Sequence, residues 1–406
     1  MARRLVVVGG GFAGLWSAAG AARAFDAWGE RDAEVVLVNP DPFHVIRVRC
    51  YEADLAPVRI PLDEVLGPIG VRRVEARAEG IDPEGRVLRL RRPDGAAEEL
   101  RYDRLVLAAG SALLRPDIPG VGHGFDVDSY EGAARLARHV AALEGDAAGC
   151  WTAVVLGAGL VGLEIACELP ARLRAAQGGG AAPVRVVLLD HAAVAGAGMG
   201  AAAAAIRAAL EAAGVEARGD VSVRAMDAEG VVLSTGERIA AQTVVLATGM
   251  RASPLAEAVP APRDRLGRLE VDGFLAVAGV PGVFAAGDIA SAACDGAGHA
   301  TVMSCQHARP MGRLAGHNAA CELAGRAGER IAFAAPDYVT VLDLGPWGAV
   351  YTAGWDRGVL RASGPEAKRV KQAINGARIY PPRDGDRAAI LAAAAPVIQA
   401  APKIAS

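Results

Sequence analysis

Two short glycine runs carry the first chemical information in this chain. Gly9-Gly10-Gly11-Phe12-Ala13-Gly14 follows the apolar residues 4–8 and precedes a helical pattern with Leu15, Ala18, Ala19 and Ala22 on one face. In such a turn the first glycine permits the tight bend, the second lets a pyrophosphate approach the backbone, and the third lets the helix pack on the strand. The same pattern recurs as Gly157-Ala158-Gly159-Leu160-Val161-Gly162, between residues 152–156 and a helix expected over 163–173. Both runs therefore read as dinucleotide sites. In each βαβ unit the residue ending the second strand should reach a ribose. These residues are Asn39, followed by Pro40, and Asp190. An amide binds a hydroxyl more weakly than a carboxylate does. Asp190 can accept from both hydroxyls and would repel a 2′-phosphate, which favours NADH over NADPH at the second site.

Other residues could act on bound cofactors. Residues 283–288 read as a buried strand ending at Gly287-Asp288, where Asp288 is placed for a flavin ribityl hydroxyl or, alternatively, for a helix N-cap. Cys305, Gln306 and His307 follow just before a helical stretch over 308–324. A thiol beside a flavin could act as a nucleophile if its pKa were lowered, with His299 and His307 as candidate bases. The plainer reading makes Cys305 a small buried residue. Partner cysteines are not at CxxC spacing; only the fold could bring Cys294 or Cys50 to it. No HExxH or clustered ligand set suggests a metal site.

Several elements must position these groups. The run 102–111, which includes Ala109-Gly110, is echoed by 243–249, ending at Gly249. A nucleotide unit, a β-rich insert and a buried strand ending at glycine thus occur twice. Residues 70–102 should form the first insert as antiparallel strands. The expected fold is α/β, with two Rossmann-like three-layer domains, the second inserted in the first. Residues 1–115 and 265–330 would form the first domain, 116–264 the second, and 331–406 a small α+β segment. In that segment 338–344 and 348–352 suggest a hairpin and 366–374 a basic helix, with residues 379–382 extended. Lys368-Arg369-Val370-Lys371 reads as a solvated helix face.

The chain has 406 residues, enough for two or three domains, and hydrophobic residues make up 52%, enough to build their cores. Acidic and basic residues are interspersed at a net charge of −3, which argues against a nucleic-acid partner. The N-terminus reads as a strand meeting a turn rather than a signal peptide, and no apolar stretch suggests a membrane span. The Ala-rich residues 200–213 read as a water-soluble helix carrying Arg207 and Glu211. Scattered cysteines fit a reducing cytoplasm.

Taken together, the two glycine motifs, the runs 102–111 and 243–249 and Gly287-Asp288 resemble the two-dinucleotide-binding-domain flavoproteins over roughly residues 4–325. Within that group the chain is similar to type II NADH dehydrogenases, through Asn39-Pro40, Phe43-His44, Tyr51-Glu52, Glu164 and Gln306. The resemblance implies FAD at the first site, NADH at the second and hydride transfer between them. It implies a quinone or quinone-like acceptor, Gln306 and its neighbours against the isoalloxazine, Glu164 near the nicotinamide–flavin contact, and a homodimer. Arg47, Ala109, Gly110 and Gly249 complete the candidate cofactor-binding set, and Glu164, Cys305, Gln306 and His307 the catalytic one. Two departures stand out. Cys305-Gln306 replaces the family's Ala-Gln pair, and residues 386–401 offer only weak apolar faces (Ile390, Leu391, Val397, Ile398), so contact with the inner face of a membrane would be weak. They keep two other readings open: a soluble flavin-dependent reductase acting on a small molecule or redox protein, and a redox-sensing flavoprotein with little turnover.

Overall fold

The computed structural model describes residues 3–145 and 147–404. Its architecture is a duplication. One parallel sheet has the strand order Val283–Ala285, Arg104–Leu107, Arg3–Val8, Ala33–Asn39, Arg72–Glu75. The other has the order Phe125–Asp126, Thr243–Leu246, Thr152–Leu156, Arg185–Leu189, Val215–Arg218. The inner strands are almost wholly apolar, as strands covered on both faces must be; Leu5, Val6 and Val7 are 0% exposed, as are Val154 and Val155. Each unit carries a three-stranded antiparallel insert, Arg77–Asp82, Val87–Arg91 and Ala97–Arg101 in the first, Val223–Asp227, Gly230–Leu233 and Arg238–Ala240 in the second. Residues 72–75, expected in the first insert, instead form the edge of the parallel sheet, registered on Val36 to Asn39.

The two strands ending at glycine lead into each other. Beyond Gly110, Ser111–Leu113 pairs antiparallel with Met250–Ala252, which follows Gly249. Both glycines have positive φ, 68° and 95°, where a side chain would strain the backbone.

The first unit's helix, Phe12–Trp28, is buried on nearly every face rather than along one stripe. Its second cover is the helix Cys305–Leu323. A Cβ on Gly312 would sit 2.3 Å from the Ala13 carbonyl oxygen, and one on Gly316 2.0 Å from that of Ser17. The two backbones touch, so the pair is held at a spacing no larger residue permits. The second unit's helix, Leu160–Ala176, begins directly after Gly159, earlier than expected, and Ala203–Ala213 packs beside it.

The C-terminal piece is a three-stranded antiparallel sheet, Val339–Asp343, Ala349–Ala353 and Val359–Gly364, followed by the helix Pro365–Ala373. That helix is not a solvated face. Lys371 is 7% exposed and lies against the second unit. Past it the chain makes a π-helical turn, Ile374–Arg378, and Ile379 stays in the helical region rather than extending. A last helix, Arg387–Ala393, docks on the first unit: Ile390 is buried and Arg387 pairs with Asp26 at 2.5 Å. Among the described residues, no helix is long and apolar enough to cross a membrane.

Candidate functional site

The two glycine turns are built alike. A Cβ on Gly14 would fall 1.7 Å from the Gly9 carbonyl oxygen, and one on Gly162 1.8 Å from that of Gly157. Gly9 and Gly157 have φ of 111° and 101° and press on the strand ends at Ala108 and Ala247. By contrast, a Cβ on Gly11 or Gly159 would meet nothing within 4 Å. That open space lies at the helix N-terminus, and neither helix has a side-chain cap for its first N–H groups. Free N–H donors beside space kept clear by glycine suit a pyrophosphate, so the residues fit the dinucleotides expected of them.

The strand-end residues hold these turns. The Gly10 N–H donates to Asn39 Oδ1 at 2.8 Å, and the Ala158 N–H donates to Asp190 Oδ2 at 2.5 Å. Asn39 spends its amide N–H on the Asp41 carbonyl, while Asp190 Oδ1 accepts from the Ala192 N–H at 2.8 Å. Pro40 is exposed, and Phe12 and Ala13 are buried in the first helical turn.

Two other residues expected at the cofactor, Arg47 and Asp288, meet beside the first turn through Ser111. Ser111 Oγ donates to Asp288 Oδ2 at 2.6 Å, Arg47 donates to Ser111 Oγ at 2.9 Å, and Arg47 lies 3.6 Å from the Asp288 carboxylate. Arg47 also binds Asp128, whose carboxyl burial raises above its usual range against the opposing pull of Arg47. Gly287 packs on the same helix turn; a Cβ there would come 2.7 Å from that of Ala13. Ser111 and Asp128 were not foreseen. Ser111 sits next to the expected Gly110, whereas Asp128 carries no sequence signal.

The four candidate catalytic residues converge. Glu164, Cys305, Gln306 and His307 line one cavity of about 560 Å³, together with Leu160 and Val161 from the second glycine motif. Cys305 opens its helix behind the N-cap Ser304, whose hydroxyl accepts from the His307 N–H at 3.4 Å. Burial raises the Cys305 thiol and Arg309 only partly opposes this, so the thiolate needed for nucleophilic chemistry is disfavoured. His307 is an unpromising base. Burial lowers its pKa to about 4, and Nδ1 accepts from the Val302 N–H at 3.0 Å. His299 does not line the cavity; it pairs with Asp295 at 2.7 Å and stacks on Trp355. The fold brings Cys294 to His307, 4.0 Å from Nε2, and leaves Cys50 near Arg47 and Asp128. No disulfide joins the described cysteines.

Glu164 is held by residues that the sequence gave no reason to join. Lys371 donates to its Oε1 at 2.7 Å, and the Asp343 N–H donates to the same oxygen at 3.2 Å. Asp343 in turn binds Lys368 at 2.5 Å and accepts from the Tyr51 hydroxyl at 3.2 Å. Burial raises the Glu164 carboxyl, and the neighbouring ammonium opposes it; burial works against the charge on Lys371, but Glu164 raises its pKa overall. Lys371, Asn375 and Arg309 also face the cavity. Arg309 and Asn375 did not stand out in the sequence, and Lys371 was read there as a solvated cation, because contacts between distant residues leave no periodicity to read.

Residues 3–312 match the family model described as pyridine nucleotide-disulphide oxidoreductase. An NADH dehydrogenase-like protein of Mycobacterium tuberculosis is 53% identical over 98% of this chain and 100% of its own length. Demethylphylloquinone reductase NdbB of a Synechocystis strain is 28% identical over 70% of this chain and 71% of its own. The solved structure of NDH2 from Plasmodium falciparum in complex with NADH superposes with a TM-score of 0.78 over 97% of both chains at 10% identity, a likeness of fold alone.

Proposed function

The chain belongs to the pyridine nucleotide-disulphide oxidoreductase family, as an FAD-dependent oxidoreductase using a nicotinamide dinucleotide, and from that premise we propose that it oxidises NADH and reduces a quinonoid acceptor. One observation carries the reading. The start of the second unit's helix, Leu160, Val161 and Glu164, and the start of the helix packed on the first unit, Cys305 to His307, line the same cavity. This shared lining supports donor and acceptor meeting at one site. The demethylphylloquinone reductase among the relatives supports a quinonoid acceptor.

FAD, when bound, would supply the hydride-accepting and electron-passing chemistry that links NADH to the acceptor. The protein's own work is placement. Gly11 and Gly159 admit the pyrophosphates to the helix N-termini, and Asp288 and Arg47 offer hydroxyl and phosphate partners beside the first turn. The Asp190 carboxylate at the end of the second strand would repel a 2′-phosphate, which favours NADH. The Glu164–Lys371 pair fixes the cavity wall where the two units meet, beside the apolar side chains of Leu160 and Val161.

Anaerobic titration with NADH, watching the flavin absorbance, followed by a soluble quinone, tests the proposal. Bleaching at stoichiometric NADH and rapid recovery with quinone is the expected result. Bleaching that no quinone reverses would overturn the acceptor. No bleaching with FAD bound would overturn the donor.

A further inference from the structure

Arg309 is 7% exposed and lines the shared cavity, yet its Nε has no hydrogen-bond partner and no carboxylate among the described residues pairs with it. Its nearest compensation is the Trp16 ring, 5.7 Å from the guanidinium carbon to the centroid. A buried guanidinium without an anion is costly, and a weak ring contact does not offset it. Burial lowers its pKa only to about 10, so it stays charged at neutral pH.

The helix geometry indicates what the charge faces. Ala308 and Gly312 lie against Gly287 and Ala13, on the dinucleotide side. Arg309 is rotated by about 100° from Ala308 and stands one turn after Cys305, on the cavity side. Of the other ionic groups of the wall, Glu164 and Lys371 neutralise each other at 2.7 Å, and Asp337 is exposed to solvent. The remaining cation, Arg378, is exposed at the rim, where it holds the Ala400 carbonyl. Residues 398–402 line that rim, with the Pro402 carbonyl accepting from the Tyr351 hydroxyl at 2.8 Å. Among the described residues Arg309 is thus the buried cation of this wall without a counter-ion, in a cavity of about 560 Å³ partly roofed by residues 398–402.

Resting on the quinonoid reading above, we propose that Arg309 is the anion-recognising residue of this cavity, and that the acceptor is a compact quinone bearing an acidic oxygen, such as a hydroxyquinone. The charge-assisted hydrogen bonds available to a guanidinium suit such an anionic oxygen, and the neutral carbonyls of a plain alkylquinone would accept them more weakly.

Equilibrium dialysis of the oxidised, FAD-loaded protein against 2-hydroxy-1,4-naphthoquinone, an anion at neutral pH, and neutral 2-methyl-1,4-naphthoquinone tests this. The native protein should favour the hydroxy compound by about tenfold or more, Arg309→Met should abolish the preference, and Arg309→Lys should keep part of it. Equal binding of the two compounds by the native protein would overturn the proposal. Equal weakening of both by Arg309→Met, or loss of FAD in both variants, would also overturn it, the latter because Arg309 would then serve the cofactor. If Arg309→Met does not fold, Arg309→Lys decides by keeping or losing the preference. Flavin bleaching by NADH, read in the same preparation, separates failure of this assignment from failure of the donor reading.

Discussion

The two nucleotide units share a turn, a strand order and a helix, yet they finish differently at equivalent places. Two residues past the last glycine of the motif stands Trp16 in the first unit and Glu164 in the second. Both receive a cation from a neighbouring helix. Arg313 lies over the Trp16 ring at 4.5 Å, and Lys371 binds Glu164 at 2.7 Å. The first helix is sealed by backbone contact through Gly312 and Gly316, whereas the second is sealed by a charged network reaching into the C-terminal sheet. A repeated scaffold can therefore be closed by packing or by charge. The charged version lies on the wall of the cavity that the two units share.

The largest expected effect comes from removing a third glycine. Gly14→Ala places a Cβ 1.7 Å from a carbonyl oxygen inside the doubly covered helix, and should cost both bound FAD and the fold. Gly162→Ala makes a similar clash at 1.8 Å in the second unit, and should keep FAD while losing reduction by NADH. FAD content per chain and NADH-dependent bleaching read the contrast; a Gly162→Ala protein stripped of FAD would show that the units are not independent.

Next comes the charged seal. Lys371→Met leaves the Glu164 carboxylate buried without its ion-pair partner and should destabilise the protein by about 3 kcal/mol, while adding Glu164→Gln should recover most of the loss. Thermal midpoints of the single and double variants check this. An unchanged midpoint for Lys371→Met would mean that the pair contributes nothing to holding the sheet on the second unit.

The smallest effect concerns the strand ends. Asp190→Asn makes the second unit resemble the first at Asn39 and removes the charge opposing a 2′-phosphate. The NADH-over-NADPH ratio of dissociation constants should shift toward NADPH by about tenfold, the equivalent of ~1.4 kcal/mol. An unaltered ratio would place coenzyme discrimination elsewhere.

What could be read in advance follows from locality. Gly9 to Gly14 and Gly157 to Gly162 are contiguous, so their turn chemistry, the duplication they mark and the strand-end acids were legible from spacing alone. Cys305 to His307 were placed near them through the family resemblance, just before the helix expected over 308–324, and the structure begins that helix at Cys305. Lys371 was misjudged: on its own helix it looks like one of several surface cations, and only the packing of the C-terminal sheet gives it Glu164. Arg309 likewise reads as an ordinary helical arginine until the fold buries it without a carboxylate. The amino-acid sequence by itself determined the two nucleotide units, since backbone sterics act between near neighbours. The tertiary structure decided which charges face the cavity, because burial and ion pairing depend on residues brought together from distant parts of the chain.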